Sequence, residues 1–285
     1  MISLETAREL MERSRTRATW LSRQTIWLLL LGIVLGGLLA SPGWLSGSRF
    51  VQVLLPQFVL ICIILWVYSR TQRQRRIAAM VSAAWGAIQL KDWTQAEAVI
   101  TKLLRRPIQP VFVRAQSLMA LAAVAENQKQ YDVSQHILET VLQEPNADAS
   151  VLYAARVALA GTLLRNSQLT DAVSMIDKLV RMELPPALRA QVELLNLFRL
   201  VLMGQTQEAV AGAEERRALF RRHLSTRAGY GYALLSAAFD RSGQTDRAAE
   251  LWRDATLLIR PAEIVDRFGE VRSVAAKYPS TEWPL

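Results

Sequence analysis

Residues able to do chemistry are sparse in this chain and do not gather. The two histidines, His136 and His223, lie far apart, and neither has a carboxylate or cysteine partner at metal-ligand spacing. Cys62 is the only cysteine and sits inside an apolar run, so one chain builds neither a disulfide framework nor a thiolate metal site. No glycine-rich phosphate loop follows a strand, and serines and aspartates fall mainly at turns, where they cap helices. The densest charged run is Glu214, Glu215, Arg216, Arg217, Arg221, Arg222 and His223. Such a run serves as a solvated helix face, with ion pairs worth roughly 0.2–0.5 kcal/mol each, or as a docking patch for an acidic partner or anionic headgroups. A net charge of +9 would suit nucleic acid, but a recognisable module with exposed aromatics among the basic residues is lacking. The sequence therefore predicts no enzyme, no cofactor, no metal and no nucleic-acid partner.

What remains is architecture. One turn recurs five times, at Lys91 to Ala96, Lys129 to Ser134, Ser167 to Ala172, Gly204 to Ala209 and Gly243 to Ala248. The small closing residues at 96, 134, 172, 209 and 248 are 38, 38, 37 and 39 positions apart, the mark of stacked repeats. Each repeat reads as two helices around the turn. The first helices are expected at 78–90, 111–127, 149–165, 186–203 and 227–242, and the second at 94–106, 131–143, 169–182, 206–222 and 245–259. Pro107, Pro110, Pro145, Pro185, Pro186 and Pro261 fall between repeats, where proline ends one helix or begins the next. Small residues recur at Ala84, Ala122, Ala160 and Ser236, with Leu197 in the fourth repeat. Bulky ones follow the closing residues at Ile100, Leu138, Ile176 and Trp252, with Ala213 breaking that pattern. A last amphipathic helix, Pro261 to Lys277, suits a cap over the exposed apolar end, followed by a tail to Leu285.

The N-terminal part reads differently. Residues 1–24 form a basic amphipathic segment with an apolar stripe at Leu4, Ala7, Met11, Ala18 and Leu21. It is either a solvated lead-in helix or one lying in a headgroup layer beside Trp20. Residues 25–68 read as a two-helix transmembrane hairpin, with apolar runs at Thr25 to Ala40 and Phe50 to Tyr68. A retained hairpin fits better than a cleaved signal, because a second run follows at once. Residues 69–77 are a basic juxtamembrane linker. Arginines flank both outer ends, at positions 8, 13, 15, 17 and 23 and at 70, 73, 75 and 76, whereas Arg49 alone lies between the runs. The positive-inside rule then sets both termini and the repeats on the cytoplasmic side of a bacterial-type inner membrane. Gly32 and Gly36 permit close helix approach, and Gln57 seeks a polar partner in lipid. Packing inside the hairpin accounts for all three; association with another subunit's span is the alternative.

The array at 78–260, followed by the cap and tail at 261–285, resembles tetratricopeptide repeats (TPRs). The carriers are the turn, the small residue three positions after Trp93, Tyr131, Leu169, Thr206 or Thr245, and the inter-repeat prolines. The repeats are longer than the family's usual length of about 34 residues. The resemblance implies an all-α solenoid whose first helices line a groove for partner proteins. Its polar candidates are Gln89, Glu126, Asn127, Arg165, Tyr230, Asp240 and Arg241, and its apolar ones are Trp85, Met119, Leu164, Leu194 and Phe198. If the apolar set is exposed, a hydrophobic helix or a second protomer is the expected guest; if it is buried, the groove is a packed seam. The expected function is a membrane-anchored scaffold for protein partners, or a structural subunit of a larger membrane complex or homo-oligomer. Two spans before TPR-like helices are also similar to membrane proteins associated with bacterial haem biosynthesis, although no histidine or cysteine pair offers haem ligands.

Overall fold

A computed structural model describes residues 2–15, 49–108, 111–145 and 147–278; side chains at 49–63, 65, 66 and 70 are not among those described. Among the described residues the chain is all-helical. It divides into two units, Met1–Ala147 and Asp148–Leu285.

The five turns are built alike. Their second residues before the new helix are left-handed: Lys91, Lys129 and Ser167 at φ 60, Gly204 at φ 72 and Gly243 at φ 82. In each turn the next N–H reaches back five residues, from Asp92 to the Ala87 carbonyl, Gln130 to Ala125, Gln168 to Leu163, Gln205 to Leu200 and Gln244 to Phe239. This is the Schellman closure, which satisfies carbonyls that a helix end leaves unpaired. Asp92 adds a side-chain cap, its Oδ1 accepting from Gln95 N at 3.0 Å. The other four turns have Gln there and no side-chain cap.

Unit 1 holds α1 (Leu4–Ser14), α2 (Arg49–Gln89), α3 (Trp93–Leu104), α4 (Val111–Asn127) and α5 (Tyr131–Leu142). Residues 69–77 are helical, within an α2 that is continuous for 41 residues, about 60 Å. Nothing in 69–77 breaks a helix, since the stretch has neither proline nor glycine. The fully buried face of α2 begins at Val81 and continues through Ala84 and Ala87, against α3 and α4. Of the N-terminal segment the described part is α1, which docks one face on the array and exposes the other; Ala18, Trp20 and Leu21 lie outside the described residues. The α1 helix packs on α3 and α5 and buries Ile2, Ala7, Leu10 and Met11, each large side chain worth about 1.5–3 kcal/mol. It runs antiparallel to α4, with Ile2 N donating to Gln128 Oε1 at one end and Ile108 N to the Ser14 carbonyl at the other.

Unit 2 holds α6 (Ala149–Arg165), α7 (Leu169–Val180), α8 (Pro186–Leu202), α9 (Thr206–Val210), α10 (Ala213–His223), α11 (Ala228–Arg241), α12 (Thr245–Leu258), α13 (Pro261–Arg267) and α14 (Arg272–Lys277). The helix expected over 206–222 is broken, because Gly212 is left-handed at φ 69 between α9 and α10. Arg216 covers the exposed end of α9, donating to the Glu208 and Ala209 carbonyls at 3.2 and 2.9 Å. The expected single helix over 261–277 is also split, by an extended Phe268 and a short 3-10 turn at Gly269–Val271. Every residue of α11 from Ala228 to Phe239 is buried. Gly231 is required there, since a Cβ would stand 2.3 Å from the Phe220 ring. The small residues at 96, 134, 172, 209 and 248 are all fully buried, as are Ile100, Leu138, Ile176, Leu197 and Trp252.

The turns make one substitution act with opposite signs. Gly204 and Gly243 have open space around a Cβ but positive φ, whereas helical Gly86 has open space and ordinary φ. Gly204→Ala or Gly243→Ala is expected to destabilise by about 1 kcal/mol, and Gly86→Ala to stabilise by about 0.5–1 kcal/mol. Denaturant titration of the three variants measures both signs.

Candidate functional site

The face that the first helices present in unit 2 is filled by the chain's own C-terminal segment. At its centre, Phe268 is only 2% exposed. Its ring meets Phe198 of α8 edge-on at 4.8 Å and Tyr230 of α11 at 5.6 Å, the arrangement aromatic quadrupoles favour. The Arg165 guanidinium of α6 stands 5.9 Å from the same ring. Tyr230 Oη donates to Glu263 Oε1 at 2.7 Å, and Arg267 lies over the Tyr230 ring at 5.1 Å. Burial first, then that hydrogen bond, pushes the Tyr230 phenol up to about 12.

The far edge is polar. Asp240 Oδ1 accepts from Lys277 Nζ and from Tyr278 Oη, each at 2.6 Å. Burial opposes ionisation of Asp240, but the two donors outweigh it and hold the carboxyl below its ordinary range. Arg241 Nη1 donates to the Val201 carbonyl at 2.6 Å, near the end of α8, and Nη2 to the Glu270 carbonyl at 3.4 Å. The four groove candidates Arg165, Tyr230, Asp240 and Arg241 are thus brought together, and each touches the segment between Glu263 and Tyr278.

Unit 1 is different. Gln89 and Asn127 are exposed at the turn ends of α2 and α4, and Glu126 beside Asn127 is half-buried. Of the apolar candidates, Leu164 and Phe198 are buried and Trp85, Met119 and Leu194 half-buried; none is exposed. Leu164 and Phe198 are thus packed inside unit 2, whereas Trp85, Met119 and Leu194 each keep part of the side chain at the surface of its own unit. Gly32 and Gly36 lie outside the described residues, and of Gln57 only the helical backbone is described.

Comparison with known protein families, curated proteins and solved structures finds no match.

Among the described residues, no group of His, Cys, Asp and Glu could hold a metal ion, and no helix is long and apolar enough to cross a membrane. The charged run on α10 is partly consumed internally. Arg216 Nε bonds Glu193 of α8 at 2.6 Å, and Arg217 bonds Glu250 and Asp254 of α12 at 3.2 and 2.6 Å. Sequence reasoning missed Arg114, the one buried charged side chain described. It pairs with Glu144, and its Nε and Nη2 donate to Ser14 Oγ at 3.1 Å and the Met11 carbonyl at 2.9 Å. Burial and then the charge of Arg15 pull its pKa down to about 10. The signal was a lone arginine inside Val111-Phe112-Val113-Arg114-Ala115.

Arg114→Ala strands Glu144 and the Met11 carbonyl of α1, with an expected loss of about 3–5 kcal/mol and tryptic cleavage at Arg8 and Arg13. Phe268→Ala is expected to cost about 3–5 kcal/mol and to open Arg267, Arg272 and Lys277 to trypsin. The Asp240 carboxyl is depressed in the folded state, so its contribution is complete above the ordinary aspartate range and lost as pH falls through the folded value. Hydrogen-exchange protection factors across 272–278, taken relative to the intrinsic amide rate at each pH, should therefore fall on acidification in the wild type and much less in Asp240→Asn.

Proposed function

We propose that this chain is a membrane-anchored, TPR-like helical scaffold holding protein partners on the cytoplasmic face of a bacterial-type inner membrane. The observation that carries the reading is the return of α1 to the array. Because α1 packs on α3 and α5, the N-terminus and unit 1 share one side of any membrane, so crossings between Arg15 and Val81 must be even in number. Two apolar runs in the sequence, Thr25 to Ala40 and Phe50 to Tyr68, would supply two crossings; the first run and most side chains of the second lie outside those described. Moreover, α1 ends at Ser14 beside Ile108 and Arg114, the same end of unit 1 by which α2 enters. On the stretch of α2 before its buried face, Ile64, Val67 and Tyr68 are 57%, 48% and 62% exposed, an apolar surface that asks for lipid or a second helix. The repeated turn and buried small residues support a TPR-like solenoid, and the exposed Gln89 and Asn127 leave unit 1 the surface for a partner.

A second reading, a structural subunit held in a larger complex through its spans, draws on the occupied face of unit 2. That face offers no open groove while Phe268 is seated. Full-length protein captured in mild detergent separates the two readings. The scaffold reading expects partners lost with Gln89→Arg plus Asn127→Arg and kept with Gly32→Leu plus Gln57→Leu. The reverse pattern supports the subunit reading and overturns the scaffold.

A further inference from the structure

Unit 1 gathers arginines that are distant in sequence at the end where α2 enters. The α2 and α3 helices are joined by a three-residue turn between Gln89 and Trp93 and pack on each other. Counting back equally from the turn sets Arg105 and Arg106 level with Arg75 and Arg76, to within about one helical turn of 5.4 Å. Arg15 joins them, because Ile108 N donates to the Ser14 carbonyl and the Arg15 charge acts on Arg114. Arg73 lies less than one turn further along α2. All six side chains, Arg15, Arg73, Arg75, Arg76, Arg105 and Arg106, are exposed.

Opposing charge is scarce here. No Asp or Glu occurs between Glu12 and Asp92. Asp92 and Glu97 lie toward the turn end of α3, Glu144 is committed to Arg114, and Glu9 to Arg13. Of the acids on α1, α2 and α3, only Glu12 stands at this end, and six arginines outweigh it. Tyr68, at the end of the apolar run, precedes Arg76 by eight residues, about 12 Å along the helix. An arginine side chain and one Debye length of about 8 Å cover that distance.

Resting on the membrane-anchored reading above, we infer that these six arginines form a collar that binds anionic phospholipid headgroups and seats unit 1 against the bilayer. The guanidinium groups match phosphate oxygens in bidentate fashion. Arg15, Arg105 and Arg106 belong to the folded array rather than to the span, so the contact fixes the array's distance from the membrane as well as the helix's depth.

The test reconstitutes full-length protein into vesicles of phosphatidylcholine alone or with 30% phosphatidylglycerol, and reads hydrogen exchange and carbonate resistance together. The collar predicts slower exchange at 102–108 with phosphatidylglycerol, abolished by Arg105→Gln plus Arg106→Gln or by high salt, and weakened but not abolished in Arg105→Lys plus Arg106→Lys, which keep the charge without the bidentate geometry. Carbonate-resistant insertion with equal exchange in both vesicles overturns the collar and leaves the anchor standing. A chain that carbonate releases from both overturns the anchor and the collar with it.

Discussion

The left-handed residue in each turn is the constraint on which the rest of the structure depends. Three of the five positions are held by Lys91, Lys129 and Ser167 at φ 60, where a side chain costs about 1–2 kcal/mol. The cost is offset because the turn returns the next helix at one fixed angle, with the small closing residue against its partner. Ser236 records how close the result is, its Oγ donating to the Ala248 carbonyl at 2.6 Å. A slip of one residue would rotate the second helix by about 100° and carry its small residue off the seam.

A second device recurs where helices end. Arg114 covers the Met11 carbonyl of α1, Arg216 the Glu208 and Ala209 carbonyls of α9, and Arg241 the Val201 carbonyl of α8. In each case a cation from another helix meets the negative end of a helix dipole. These contacts tie the irregular pieces, α1 and the broken α9–α10, to the regular pairs. They also give the arginine-rich composition a structural use that net charge alone does not suggest.

The repeating parts were legible because spacing and turn chemistry repeat. The helix pairs, the buried set at 96, 134, 172, 209 and 248, and the proline boundaries all follow from one period. What escaped was what happens once. The break at Gly212 lies beside Ala213, where the pattern of bulky residues already failed, yet a glycine within a helical run is not by itself a stop. The return of α1 depends on Arg114, a contact about a hundred positions away in sequence. Of the groove candidates, Arg165, Tyr230, Asp240 and Arg241 share one face in unit 2, and the sequence did not name what lies on that face, because an amphipathic end segment reads as a cap without saying what it covers. Here Phe268 completes an aromatic cluster with Phe198 and Tyr230.

The central proposal is that the N-terminus and the array lie on one face of a membrane and the stretch between the two apolar runs on the other. Single-cysteine variants Glu5→Cys, Ser46→Cys and Ser150→Cys, in a Cys62→Ser background, test it with a membrane-impermeant thiol reagent on intact cells and then on opened ones. Labelling of position 46 in intact cells, with positions 5 and 150 reached only after opening, is the predicted result. Labelling of 5 and 150 from opposite sides, or of 46 from the same side as both, would contradict it.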